Sequence, residues 1–493
     1  MRNGNPMVRP RGVLIVTAER RLAGQGGTRR VHSVWRMCAD ATVVTPLHSG
    51  SGQIDHLPSE ERPDMTLTLD ADGSPCILGS TLRGLLRHHL AARLCGYRSD
   101  DSTAERETSR LFGSARDDGH HGRIEVRDAT VKADSIQVAI RNRLDPGHGV
   151  VDANALFDME LIPAGSTFPI EVTITVEDGA DELELLSQAC AALAGFDDVN
   201  GIRVGMATNR GYGKIRTSGW RAYRWAFADG EWFDHDSRDP EAEFLDEELT
   251  PYATAHDAVD AALKLAGMRG AMDVPDHRVF AALRVPIRVP GGWNELDWIE
   301  RQSGPVPERD PVTRTGTSIA GAVRAEIRRA LRAILPSDDA DSRFADIFGG
   351  DAGSDRPPEP SRCRVEMAKV VSDGLERRPR VALNPHSREV RHLFHDVVLA
   401  DGKAELTFVV EGGKGGDVSA EDLAVLALII KALYAGRVAF GGHSSVGYGR
   451  AELDGTASLR LPDGETLSLT PDDEEPRVDG WLEALVSRQQ EVA

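Results

Sequence analysis

The sequence predicts an α+β protein made of two tandem copies of one domain. Three observations carry that reading: a long internal repeat, alternating strands that bracket apolar helices in each half, and a glycine-rich turn that closes both halves. Gly79-Ser80-Thr81-Leu82-Arg83-Gly84-Leu85-Leu86-Arg87 returns as Gly316-Thr317-Ser318-Ile319-Ala320-Gly321-Ala322-Val323-Arg324. Leu111-Phe112-Gly113 returns as Ile347-Phe348-Gly349, Leu156-Phe157 as Leu393-Phe394, and Gly211-Tyr212-Gly213-Lys214 as Gly447-Tyr448-Gly449-Arg450. These matches keep one order and a spacing of 236 or 237 residues. One alone is chance; the set in register means a duplicated domain, too long for a solenoid unit and so owning a core in each copy. The organisation read from this is an extension over 1–30, copy one over 31–220, an acidic and helical connector over 221–276, copy two over 277–457 and a tail over 458–493.

Each copy opens with a β-branched strand, Ala41–Thr45 and Leu283–Val289, bounded by Pro or Gly. A long loop leads to the Gly-Ser-Thr signal and a helix. Leu82, Leu85, Leu86, Leu90 and Leu94 fall on one helical stripe, matched by Ile319, Val323, Ile327, Leu331 and Ile334. Alternating strands follow at Phe168–Val176 and Ala404–Val410, then helices at Glu182–Ala194 and Ser419–Tyr434, then the glycine turn and a last strand. Strand, helix, strands, helix, strand is the order of a ferredoxin-like (RRM-like) domain with insertions. Such a sheet is also the platform of many RNA-binding modules. Thr254–Met268 reads as a docked connector helix, and Asp479–Gln489 as a short amphipathic one.

Composition sets limits. The chain has 493 residues, 40% hydrophobic, with 58 Lys and Arg against 78 Asp and Glu for a net charge of −20. The body is core-forming but acidic, so any polyanion site is a local basic surface. No apolar run nears the roughly 20 residues of a membrane helix. The run Val13–Val16 is too short for a secretory signal. Five scattered cysteines argue against a disulfide framework and against a CxxC zinc site, so a reducing cytoplasm is the expected compartment. The absence of GxxxxGK[ST], GxSxG and HExxH removes the common nucleotide, hydrolase and metalloprotease readings.

The Gly-Ser-Thr turn places free N–H groups and a helix dipole where a phosphate could sit, with Ser80 or Thr81 as cap. Arg83 and Arg87 lie four apart on the same face. The plainer reading is an ordinary cap with a solvated basic face. Lys214 and Arg450 follow tight glycine turns, where backbone approaches a polyanion closely. His48, beside glycines, suits RNA contact or loop orientation equally. His88-His89 and His120-His121 lack the partner spacing of a zinc site. Gly50–Cys76 is a long polar loop bearing Asp55, Asp64, Asp70 and Asp72, and loops this long in compact domains are functional or disordered.

These residues together resemble the RAMP superfamily, the repeat-associated backbone proteins of type III CRISPR effector complexes. Thr45-Pro46-Leu47-His48-Ser49-Gly50-Ser51-Gly52 is similar to its T-P-L-H-x-G-S-G opening, and Ile77 to Arg87 to its I-P-G-S-S-L-K/R-G-x-x-R. Leu111-Phe112-Gly113, Ala155 to Phe168 and Arg210-Gly211-Tyr212-Gly213-Lys214 resemble the L-F-G, the A-L-F-x-x-E-x-V-P-A-G-T-x-F and the closing R-G-x-G-R/K. Copy two departs: Val289-Pro290-Gly291-Gly292-Trp293 replaces the His-containing loop, and Ala320 replaces the basic residue at Arg83.

The resemblance implies a crRNA-binding subunit that also meets target RNA and the other type III effector subunits. His48, Ser80, Arg83, Arg87, Lys214, Arg324 and Arg450 are its expected RNA contacts. It further implies a loop hairpin at Gly50–Cys76 that interrupts the guide–target duplex. Asp64, followed by Asp70, stands in the register of the aspartate that supports metal-dependent target cleavage, with Mg2+ or Mn2+ shared between Asp64 and RNA. Gly304 stands at the matching position of copy two, Asp310 matches Asp70, and Asp297 lies nearby. A non-catalytic crRNA-binding subunit and a metal-independent crRNA-processing endoribonuclease remain the alternatives.

Overall fold

The computed structural model describes residues 31–54, 63–114, 121–144, 151–226, 250–294, 312–313, 316–350, 360–413, 416–470 and 475–487. The N-terminal extension, the acidic part of the connector, Asp55, His120, Asp297, Gly304 and Asp310 lie outside them.

Copy one runs β1 (Val31–Val43), β2 (Gly50–Ile54), β3 (Met65–Leu67), β4 (Cys76–Ile77), α1 (Gly79–Cys95), α2 (Asp101–Phe112), β5 (Ile124–Val126), β6 (Ala129–Thr130), β7 (Gln137–Leu144), β8 (Val151–Leu161), β9 (Thr167–Glu177), α3 (Glu182–Leu193) and β10 (Ile215–Ala226). Its main sheet has the order β10-β1-β9-β5, antiparallel throughout. Counting only strands of the basic plan, that is 4-1-3-2, the ferredoxin-like order expected from sequence. β9 shows why the sheet needs helices on one side: Phe168, Ile170, Val172, Ile174 and Val176 are buried at every second position. α1 and α3 supply the cover through Leu82, Leu86, Leu90, Leu185, Leu186 and Ala189. The connector helix α4 (Ala255–Leu265) belongs to this core, burying Ala255, Ala258, Val259 and Leu263.

Copy two repeats the plan with β11 (Phe280–Val289), β12 (Val312–Thr313), α5 (Gly316–Ile334), α6 (Ser337–Phe348), β13 (Cys363–Val365), β14 (Lys369–Val370), β15 (Gly374–Leu383), β16 (Val390–Ala400), β17 (Gly402–Glu411), α7 (Ala420–Tyr434) and β18 (Glu452–Leu453). β19 (Ala457–Arg460) and β20 (Thr466–Leu469) extend the sheet, β19 pairing with β11. The stretch read as a tail is thus partly sheet: Leu459, Leu467 and Leu469 are buried in copy two's core. The final helix, α8 (Pro476–Ser487), packs there through Leu485.

Conserved register makes the equivalences explicit. Arg127 N donates to Glu171 O, and Glu366 N to Thr407 O. Arg203 bridges Lys214, and Ala439 bridges Arg450. Met206 N donates to His48 O, and Gly442 N to Asn294 O. Asn294 is therefore copy two's counterpart of His48.

The copies join head to tail. Copy one's closing loop lies on copy two where α5 begins: a Cβ on Gly316 would overlap the Arg210 carbonyl, and one on Gly211 would stand 2.5 Å from Met367 N. Backbone meets backbone here, so both positions require glycine. Arg203, 4% exposed, pairs with Glu366 at 2.6 Å. Arg364 donates to Gly201 O at 3.1 Å. Arg278 reaches Asp198 at 2.8 Å, and His277 N donates to Arg93 O at 2.8 Å.

Candidate catalytic loop and nucleic-acid interface

Asp64 stands exposed where the chain enters β3. β3 pairs with β2 on one side and meets β8 on the other, so the loop is anchored to the sheet β2-β3-β8-β7. A reciprocal bond fixes it: Asp64 N donates to Asp158 Oδ1 at 2.7 Å, and Asp158 N donates to Asp64 Oδ2 at 3.1 Å. Each carboxylate thereby accepts from the other residue's backbone N–H, through Asp158 Oδ1 and Asp64 Oδ2. Asp158 was not singled out from the sequence, because its partner is 94 residues away. Asp70 does other work. Its Oδ1 accepts from Asp72 N and Ser74 N and its Oδ2 from Thr130 Oγ1 at 2.8 Å, which closes a turn and holds its carboxyl below the usual range.

Arg83, Arg87 and Arg324, expected on RNA, bond within the protein. Arg83 donates through Nη2 to Phe112 O and through Nε to Ile124 O at 3.4 Å, with its guanidinium 5.6 Å from the Phe112 ring centroid. Arg324 donates to Phe348 O and lies over Phe344 and Phe348. Each cation caps the C-terminal end of the following helix, where orphan carbonyls and the dipole favour it. By sequence register Arg324 matches Arg87, yet it does what Arg83 does. One helical turn separates the two positions on the same face, so either reaches that carbonyl. Arg87 itself bonds Thr108 Oγ1 at 3.2 Å. Arg83→Ala and Arg324→Ala should each lower stability by about 1–2 kcal/mol, read as a shifted urea midpoint, because each leaves a half-buried carbonyl without its charged donor.

His48 is 2% exposed, with Nδ1 bonded to Glu160 O at 2.7 Å, so it orients the loop. Ser80 is exposed but caps nothing: the N-cap is Leu78, with no side-chain cap bond. Asp128 Oδ1 accepts from Gly79 N at 2.6 Å, so an internal carboxylate takes the N–H that the sequence offered to a phosphate. Lys214 is half-buried at the joint; burial pulls its ammonium below the usual lysine value, Glu366 opposes, and Arg203, Arg216 and Arg364 add to the fall. Arg450 is exposed.

A second surface escaped the sequence reading. β15 and β16 form a two-stranded hairpin, bridged at its base to Trp293 through Leu399, with Val381, Leu383, Val390, Leu393 and Phe394 exposed. Arg377, Arg388, Arg391 and three histidines (His386, His392, His395) are exposed on it as well. Cations beside an exposed aromatic suit a nucleic-acid strand, the rings stacking on bases and the charges meeting phosphates. Leu393-Phe394 had served only as a repeat marker.

Two ferredoxin-like domains, each closed by a glycine turn and joined head to tail, define a tandem α+β protein with a loop aspartate clasped to a strand aspartate and a basic hairpin. The family model described as the RAMP superfamily matches residues 40–216 and 315–452, more than half of the chain. The chain belongs to the RAMP superfamily. It is also 27% identical over 169 residues to the CRISPR system Cms endoribonuclease Csm3 of Methanocaldococcus jannaschii. That alignment covers 31% of this chain and 66% of the relative. No described helix is long and apolar enough to cross a membrane.

Proposed function

We propose that this chain is a cytoplasmic backbone subunit of a type III CRISPR ribonucleoprotein, binding crRNA and cleaving complementary target RNA in a metal-dependent way within the assembled complex. The observation that carries this reading is the RAMP match in both copies, supported by the likeness to a Csm3 endoribonuclease. Guide phosphates would meet Arg450, Ser80 and the β15–β16 hairpin, while base pairing would set target choice. Co-expressed with a repeat–spacer transcript, the complex should retain RNA of defined length; no enrichment over a mock preparation would end the reading.

Asp64 and Asp158 present oxygen donors only, the chemistry Mg2+ or Mn2+ prefers. Among the described residues no three His, Cys, Asp or Glu side chains gather to hold a metal, so Asp64 would share the ion with RNA. Bound there, the ion would neutralise charge at the scissile phosphate. Asp158 would act by holding the Asp64 backbone. Asp158→Ala should slow target cleavage by roughly tenfold to a hundredfold, and Asp158→Asn, which keeps an acceptor for Asp64 N–H, by less. A second reading is a subunit that binds RNA without cutting it; an unchanged fragment ladder after Asp64→Ala would select it.

A further inference from the structure

The base of the β15–β16 hairpin is built from ionisable groups where copy one uses apolar ones. In copy one, Met159 of β8 is buried with Leu161 and Tyr212, and Ala207 of the closing loop packs against them. Register puts Asp396 at the place of Met159, Tyr448 at that of Tyr212 and His443 at that of Ala207. Asp396 is 4% exposed and accepts from Arg380 Nε, from Arg380 Nη2 at 2.9 Å and from the Tyr448 hydroxyl. Its bond with Arg380 holds the carboxyl below the usual range, so it stays ionised near neutral pH. Ala207 and His443 share a left-handed backbone, with φ of 56° and 58°, which a non-glycine residue adopts only at a cost. In copy two that backbone carries an imidazole to the foot of the hairpin.

His443 stands between two elements. Its Nδ1 accepts from Asn294 Nδ2 at 3.0 Å, and the same nitrogen lies 3.8 Å from Asp396 Oδ1. Asn294, fully buried, belongs to the segment after β11, whereas Asp396 belongs to the hairpin. The other charged or titratable groups around the ring are Arg378 and Arg380 from β15 and Tyr448 from the closing loop. Arg378 is engaged by Gly291 O at 2.6 Å and Glu376 at 2.8 Å, and Arg380 by Asp396. The imidazole is 39% exposed, so water can deliver its proton. A neutral ring accepts from the amide; an imidazolium carries N–H on both nitrogens and cannot. Asn294 would have to reverse a buried amide to offer its Oδ1, and a carboxylate is the stronger acceptor. Closing the gap to Asp396 by about 1 Å makes a charge-assisted bond.

We propose that His443 is a proton-operated latch: on protonation its Nδ1 leaves Asn294 for Asp396, and copy two's closing loop then holds the hairpin directly. Copy one has no counterpart, since Ala207 and Met159 carry no titratable group. An effect on RNA rests on the role proposed above for the hairpin; the latch itself does not.

The test follows amide hydrogen exchange over β15–β16 in the full chain, free of RNA, at about pH 5.5 and about pH 8, which bracket the range where imidazoles change charge. The parent and His443→Gln are compared at each pH, so the intrinsic pH dependence of exchange cancels. At the lower pH the hairpin amides should exchange about fivefold or more slowly in the parent. At the higher pH the two chains should match, and the β7–β8 amides of copy one should not distinguish them at either. His443→Lys, charged throughout, should protect the hairpin at both. Equal exchange of the parent and His443→Gln at the lower pH overturns the proposal and leaves the proton to a reversed Asn294 amide. A difference that persists at the higher pH overturns it as well, because the contact would then need no proton. Oligouridine affinity of the same two chains separates the latch from the reading it serves. His386, His392 and His395 are common to both, so their contribution cancels. Slower hairpin exchange with equal RNA affinity at the lower pH would uphold the latch and remove the hairpin from the RNA surface.

Discussion

Asp422→Ala should cost copy two about 3–5 kcal/mol, the largest stability loss expected from a single side chain here. Asp422 is 1% exposed and Arg362 is 2% exposed. The pair is bidentate, Nη2 to Oδ1 at 2.6 Å and Nη1 to Oδ2 at 3.0 Å. Arg362 is also held by Asp346 Oδ2 at 2.5 Å and by Glu411 O at 2.9 Å. It thereby ties α6, β17 and α7 together. Asp422 in addition completes the capping box of α7 with Ser419, whose N–H donates to Oδ2 at 2.9 Å. Alanine removes the cap and strands a buried guanidinium with only part of its compensation. Trp293, fully buried in copy two, reports the transition by fluorescence in urea. A midpoint equal to the parent's would mean that Asp346 and the Glu411 carbonyl together satisfy Arg362. Asp422→Asn, which keeps one acceptor, should lose less.

How far the sequence carried the fold depended on the range of each signal. The repeat and the alternating strands are local or self-referential, so the two copies, their helices and the α+β class could be read directly. The strand order 4-1-3-2 followed from the order of elements, since few topologies fit it. β19 and β20 were missed because each is four residues long and lies among turn residues, where periodicity says little. Their place in the sheet comes from β19 pairing with β11, which begins 177 residues before it, and from β20 pairing with β19.

The site was less legible because its chemistry is made by contacts between distant segments. A basic face on α1 was visible, but not that Arg83 ends on the carbonyl of Phe112, or that Asp128 takes the helix N-terminus. The substitution of Asn294 for His48 was hidden because the two side chains share a backbone role rather than a chemistry. The basic hairpin was missed for a different reason. Val381, Leu383 and Val390 are β-branched or apolar, residue types that carry no sign of a nucleic-acid surface in the sequence, and only the structure shows them exposed.

Asp64→Ala should abolish one target-RNA cut in the assembled complex while guide and target binding persist. The side chain is exposed, so its loss as a surface group would cost little, and the reciprocal bond to Asp158 adds only a modest term. Asp64 N still donates to Asp158 Oδ1 in the variant, so the loop keeps half of its anchor. What disappears is a carboxylate placed to hold charge against a phosphate. Losing about 4 kcal/mol of transition-state stabilisation slows the step roughly a thousandfold, enough to remove the product from a gel. EDTA should remove the same cut from the parent complex, and Mg2+ or Mn2+ should return it. Asp70→Ala is the contrast. That carboxylate is spent on its own turn and on Thr130, so its loss should loosen the loop and leave the chemistry measurable. If Asp64→Ala gives the parent's fragments at the parent's rate, the carboxylate pair is a structural clasp. In that event the subunit grips RNA that another component cuts.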